Sequence, residues 1–163
     1  MRRRVFDYPD KKLRKIGGWV RVRDEGDKIT LSYKQLLDRT LHGTKEITVI
    51  VDDFEATCTF LCSIGLQQIS YQETRRELWL LDNCEVTLDT WLWIPPFVEI
   101  EGTDEESLKR IVKHLGFDWS QAMYGSVEIV YQKYYDVTKS EVDNCESITF
   151  IPVPLWLDQK RKL

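Results

Sequence analysis

Residues 91–117 read WLWIPPFVEIEGTDEESLKRIVKHLGF, a strand running into a capped helix. From Phe97 to Glu101 apolar and acidic residues alternate, so Glu99 and Glu101 share one face of the strand and Val98 and Ile100 the other. Thr103 and Glu106 have capping-box spacing, Leu108, Ile111, Val112 and Leu115 make a helical apolar stripe, and Gly116 supplies the stop. An acidic pair on a strand is, by itself, what any wet sheet face shows. Its meaning depends on the strands around it.

Those strands carry the same alternation. Residues 19–23, WVRVR, put Trp19, Arg21 and Arg23 on one face and Val20 and Val22 on the other. Residues 28–34, KITLSYK, set Lys28, Thr30, Ser32 and Lys34 against Ile29, Leu31 and Tyr33. Asp24-Glu25-Gly26-Asp27 between them is a hairpin signal. Residues 36–44 read as a loop or turn, and the alternation resumes over 46–51. A helix is expected over 53–64, capped by Asp52 or Asp53, striped by Phe54, Cys58 and Leu61 and ended by Gly65. Further strands are expected at 67–81, 85–89 and 97–101. A third helix starts near Ser120 and uses Val127, Val130, Tyr131 and Tyr134. The tail ITFIPVPLWL reads as an edge strand broken by Pro152 and Pro154. The expected fold class is α+β, an antiparallel β tunnel or barrel with about three flanking helices.

At 163 residues the chain has the length of one domain, taken as 1–163, with a real core. No stretch approaches the ~20 apolar residues that span a bilayer, and the basic start is followed by no apolar segment of a signal peptide. No membrane partner and a cytoplasmic location are therefore expected. The cysteines fit that setting: Cys58 and Cys62 share a helix face, Cys84 and Cys145 stand alone, and buried reduced thiols are favoured over a zinc site. The net charge of −4 is uneven, with residues 1–23 at +7 and the rest at −11. A basic arm on an acidic body could bind nucleic acid, but the arm has few aromatic residues to stack bases and the acidic remainder would repel a phosphate backbone, so a small, highly charged anion is the better match.

If the sheet curls so that helices cover its apolar faces, the charged faces converge inside. Empty, such an interior is costly, because desolvated charges need partners. Arginine and lysine hold phosphate oxygens. Two carboxylates at i and i+2 suit Mg²⁺ or Mn²⁺, which bridge to phosphates.

The segments FDYPDKKLRKIGGWVRVRDEG, ITLSYK, KEITVIVDDFEATCTFLCSIGL, QETRRELWLL and VTLDTWLWIPPFVEIEG, in that order, resemble the CYTH superfamily of triphosphate tunnel proteins, which includes class IV adenylyl cyclases, thiamine triphosphatases and inorganic tripolyphosphatases. The resemblance covers most of residues 6–117, and GSVEIVYQKYYDVT is similar to the C-terminal helix of some members. It implies a tunnel with a basic and an acidic side. Arg21, Arg23 and Lys34 would grip phosphates, Arg76 would match the arginine of the K-x-R strand and act in binding and catalysis, Glu46 and Asp89 would be further acidic catalytic positions, and Glu99 and Glu101 would hold Mg²⁺ or Mn²⁺. The implied function is metal-dependent binding and hydrolysis, or cyclisation, of tripolyphosphate, thiamine triphosphate or ATP.

Two departures stand out. No E-x-E-x-K motif precedes Arg21, so the first strand and first helix of the pattern are missing, and Thr74 stands where the family often has lysine. The missing strand would leave an open seam. Three explanations stay open: a natural start further upstream, a degenerate anion or nucleotide binder without turnover, or a homodimer that closes the open strand edge.

The remaining conspicuous residues read blandly. Trp79, Trp91, Trp93, Trp119 and Trp156 have no spacing of a base-stacking platform and are assigned to packing. His114 suits the negative end of a helix, and His42 reads as a turn residue. Glu73, Arg75 and Glu77 should form a wet outer face. Arg2, Arg3 and Arg4 read as a flexible basic end able to fold over a phosphate ligand. No nucleophile elbow or P-loop appears.

Overall fold

In the computed structural model, which describes residues 1–37 and 43–162, alternation in the sequence becomes two antiparallel sheets. The strands are β1 (Arg2–Asp7), β2 (Gly18–Asp24), β3 (Ile29–Leu36), β4 (Thr44–Val51), β5 (Gln67–Glu73), β6 (Arg75–Leu81), β7 (Cys84–Thr90), β8 (Phe97–Glu101) and β9 (Ser147–Ile148). The larger sheet runs β4-β3-β2-β1-β5-β9 and the smaller β6-β7-β8. Only the short β9 joins in parallel, beside β5.

The expected hairpin joins β2 to β3, with Gly26 at φ 99° in its turn, a conformation that glycine takes without steric cost. Residues 36–44 span the end of β3 and the start of β4. His42 lies outside the described residues.

Three expectations are corrected here. The arginine-rich start is not a flexible end: Arg2–Asp7 is a strand inside the larger sheet, paired with both β2 and β5. The edge of β2 is therefore occupied, and the free edges belong to β4, β9, β6 and β8. Second, residues 67–81 are not one strand. They break at Thr74, and the two halves join different sheets. Third, the helix after β8 is capped by Asp104, whose carboxylate accepts the Ser107 N–H, rather than by Thr103. Aspartate reaches the third backbone N–H as well as threonine does, and it adds charge favourable to the helix dipole.

The ten-residue helices α2 (Phe54–Ser63) and α3 (Glu105–His114) carry the expected stripes, except that Leu115 is the exposed C-cap of α3. They accompany a short α1 (Lys12–Lys15) and three short C-terminal helices, α4 (Glu128–Tyr134), α5 (Lys139–Asp143) and α6 (Leu155–Asp158). The region near Ser120 is a single 3-10 turn, and the third predicted helix begins later, at Glu128.

Three separate apolar clusters follow from this layout. Phe54, Cys58 and Leu61 of α2 pack on Phe6 and Val22, covering the outer face of the larger sheet. Leu108 and Ile111 of α3 cover Cys84 and Val86 on the smaller sheet. That cover is partial, since Leu88 and Val98, expected under helices, stay exposed. Tyr131, Tyr135 and Leu157 of the C-terminal segment enclose Trp91 and Ile94. Trp79 and Trp156 are exposed rather than packed, as is Cys62, while Cys58 and Cys84 are buried as expected and all four thiols are free. No helix among the described residues is long and apolar enough to cross a membrane.

Candidate functional site

Residues directly paired across antiparallel strands share a face. The register Arg3↔Arg23↔Thr30 and Arg21↔Ser32↔Thr48 therefore sets Arg3, Arg21, Arg23, Thr30, Ser32 and Thr48 on one face of the larger sheet. Lys34 and Glu46 face each other on the same side, one step further on. On the smaller sheet Arg76↔Asp89 and Thr87↔Glu99 place Arg76, Asp89, Thr87, Glu99 and Glu101 together. Arg3 feels Arg76 and Asp89, and Lys34 feels Glu101, so the two charged faces look at one another across the interior. All of the sequence-predicted residues thus line one cleft.

The basic wall is under electrostatic load. Burial, then Arg23 and Arg76, pull the Arg21 guanidinium down to about 10 against the pull of Glu46 and Glu25. Burial and Arg21 likewise lower Lys34, although its ammonium sits 2.7 Å from Glu46. Glu46 also reaches Arg21 at 3.8 Å. Its own burial would raise its carboxyl, but the hydrogen bonds from Lys34 and Thr48 and the charge of Arg21 hold it below its ordinary value. Glu46 therefore clamps two cations and is a poor proton acceptor. Arg23 is held by Glu25 at 2.5 Å, a partner the sequence reading left in a turn.

The acidic wall has one cation set into it. Arg76 donates from Nε to Asp89 Oδ1 at 2.7 Å and from Nη2 to Asp89 Oδ2 at 2.5 Å and Glu99 Oε2 at 2.7 Å. Burial alone would lower this guanidinium, but Asp89 and Glu99 raise it above the ordinary arginine value. Glu99 behaves oppositely: burial, helped by the like charges of Glu101 and Asp89, keeps its carboxyl above the usual range despite Arg76. Asp89, wholly buried and saturated by Arg76 and Thr87, is a positioning residue for Arg76. Glu101 makes no ion pair among the described residues.

Reasoning from the sequence missed Arg3. Its guanidinium is 5% exposed, donates to Thr74 Oγ1 at 2.6 Å, and lies 4.6 Å from the centre of the Trp91 ring. The signal was present in RRRVFD, where alternation sets Arg3, Val5 and Asp7 opposite Arg2, Arg4 and Phe6. Arg2 and Arg4 lie over Phe54 on the outer face.

Glu99 and Glu101 share the inner face of β8, but no group of three His, Cys, Asp or Glu side chains able to hold a metal occurs among the described residues. Mg²⁺ is commonly held by one or two carboxylates with phosphate oxygens and water completing its shell, so this oxygen-only pair fits a metal that arrives with a phosphate ligand.

The CYTH domain model matches residues 5–135. The chain belongs to the CYTH domain family. Among solved structures, this CYTH chain is similar to a conserved hypothetical protein from Pyrococcus furiosus, with 19% identity, a TM-score of 0.62, and 79% of this chain and 81% of that one covered. A candidate adenylate cyclase from Vibrio parahaemolyticus is 15% identical, with a TM-score of 0.63 and coverage of 80% and 79%. A candidate adenylyl cyclase from Hippeastrum, described as having a dominant triphosphatase activity, is 15% identical, with a TM-score of 0.53 and coverage of 81% and 80%. At these identities the likeness is one of fold. The search of curated proteins returned no match.

Proposed function

We propose that this CYTH protein binds a linear triphosphate group in the cleft between its two sheets and hydrolyses it with the help of Mg²⁺ or Mn²⁺. The observation that carries the reading is the burial of Arg21 beside Arg23 and of Lys34 beside Arg21: burial first, then the neighbouring like charge, lowers each of the two. Cations held together at such a cost suit a site completed by a polyanion. Membership in the family and the triphosphatase activity reported for the Hippeastrum relative support the same choice.

In this reading Arg21, Arg23 and Lys34 hold phosphate oxygens, and Glu46 keeps Lys34 and Arg21 aimed. Arg76, fixed by Asp89, presents its guanidinium to the charge that builds on the transferred phosphoryl group. Glu99 and Glu101 hold the metal, which when bound neutralises phosphate charge and lowers the pKa of water. Tripolyphosphate, thiamine triphosphate and ATP share this recognition chemistry. The test is release of phosphate and pyrophosphate from each with Mg²⁺ or Mn²⁺, beside a Glu99→Gln control. Turnover that vanishes in the control is expected. Turnover retained by Glu99→Gln would sink the metal assignment.

A second reading, binding without turnover, is favoured by the engagement of two cleft carboxylates: Glu46 is taken up by Lys34 and Arg21, and Asp89 by Arg76 and Thr87. It requires a thermal shift with tripolyphosphate and no phosphate release.

The outer edge of β4, with Ile47, Val49 and Ile50 exposed, is the place we propose for pairing with a second copy of the chain. A strict monomer in light scattering at high concentration rules that pairing out.

A further inference from the structure

Arg3 stands apart from every other cation in the cleft. Arg21, Arg23, Lys34 and Arg76 each have a carboxylate within 4 Å, whereas Arg3 has none among the described residues. Its Nε is buried with no hydrogen-bond partner there, and its one side-chain bond goes to the neutral hydroxyl of Thr74. The groups around it are mostly of its own sign: burial first, then Arg21, Arg23 and Arg76, pull it down to about 9, opposed only by Asp89. A buried charge without a counter-ion is strongly unfavourable unless something supplies one.

The position is as unusual as the charge. Arg3 pairs with Arg23 at the far end of the cation row that begins with Lys34, opposite Trp19 on the same strand. Two steps of a strand face, from Trp19 through Arg21 to Arg23, cover roughly 13 Å. Against Arg3 lies the ring of Trp91, which belongs to the C-terminal apolar cluster. Thr74, 1% exposed and tied to the Met1 carbonyl through its N–H, fixes the guanidinium from the side. A single phosphate would reach one part of this row, whereas an extended chain of phosphoryl groups can span it and end on Arg3.

We propose that Arg3 is a specificity-determining anion anchor at the Trp91 end of the cleft, taking the innermost phosphoryl group of a linear polyphosphate chain. This rests on the triphosphate reading above and deepens it. Arg3 makes length the selected property: tripolyphosphate engages it, and orthophosphate, satisfied by the outer cations, does not depend on it.

The test is ligand-induced thermal stabilisation at matched ionic strength, with tripolyphosphate and orthophosphate as probes, for the parent, Arg3→Met and Arg3→Gln. Gln keeps a donor for Thr74 without the charge, so it serves if Met disturbs the fold. The expected result is a melting temperature without ligand equal to or above the parent's, and tripolyphosphate affinity at least about ten-fold weaker, the scale of one lost hydrogen bond to a charged group. The response to orthophosphate is unchanged. A role confined to packing predicts the opposite pattern, a lower melting temperature without ligand and an undiminished tripolyphosphate shift, and that outcome overturns the proposal. A parent that does not respond to tripolyphosphate at all overturns the triphosphate reading itself.

Discussion

Arg76 and Asp89 face each other on adjoining strands, with Nε and Nη2 of the guanidinium set on the two carboxylate oxygens. The fork fixes both the tilt and the depth of the guanidinium, which a single contact would leave free. Arg76→Lys keeps the charge but loses the fork, so activity should fall at least ten-fold with little change in fold. Asp89→Ala strands Arg76 beside Glu99 alone and should cost about 3 kcal/mol, the scale for breaking a buried pair. Urea denaturation of the two variants beside steady-state rates separates these effects.

Glu99 illustrates a site held at the expense of stability. Its carboxyl is raised by burial and by Glu101 and Asp89, so the folded state holds that proton more tightly than the unfolded chain. Stability from this group is present below the ordinary carboxylate range and is lost as pH rises through the raised value. Glu99→Gln should therefore raise the melting temperature of the unliganded protein at neutral pH and flatten its decline between the ordinary carboxylate range and the raised value, while removing turnover. Differential scanning calorimetry across pH reads both slopes.

Glu141 has the opposite sign. It forms a capping box with Thr138 and pairs with Lys160. The Lys160 bond first, then the Thr138 N–H and hydroxyl, hold its carboxyl down to about 2 from 4.5. The stability it contributes is complete above 4.5 and disappears as pH falls toward 2. Acid titration by far-ultraviolet circular dichroism beside urea denaturation should show Glu141→Gln lacking this part of the acid limb and less stable than the parent at neutral pH, with the gap closing as pH falls toward 2.

Tyr131 donates its buried hydroxyl to the Leu92 carbonyl at 2.7 Å and packs in the C-terminal cluster behind Trp91. Tyr131→Phe leaves that carbonyl without its partner, at a cost of ~1–3 kcal/mol. Chemical denaturation should show the loss. Because the same cluster backs Trp91, tripolyphosphate affinity should fall with it if the Trp91 end matters to binding.

The strand faces were legible because period-two alternation survives any curvature of the sheet. Arg21, Arg23, Lys34, Arg76, Glu99 and Glu101 all fell on the cleft side from that pattern alone. Arg3 was lost for a different reason: three consecutive arginines look like a solvated tail, and the strand is revealed by its pairing on both sides, with β2 and with residues 67–73 far along the chain. The break at Thr74 was hidden because QETRRELWLL has no glycine, proline or other turn signal at it. What makes it a corner is Thr74 bonding back to Met1 and Arg3. The identity of the cap at Asp104 rather than Thr103 is a one-residue choice between two competent side chains, settled by which one reaches Ser107.

Three apolar clusters in place of one continuous core carry a last consequence. The smaller sheet with α3 and the larger sheet with α2 each bury their own side chains, and the chain crosses between them at Thr74. What ties them together is the C-terminal segment, which packs on Trp91, Ile94 and Phe97 while its β9 pairs with β5, and, in the proposed reading, an anion between the walls. With the cleft empty, amides of β6–β8 are expected to exchange sooner than those of the larger sheet. A bound polyanion should couple the two sheets, so occupancy would be written into the hydrogen-exchange pattern of strands that never touch the ligand.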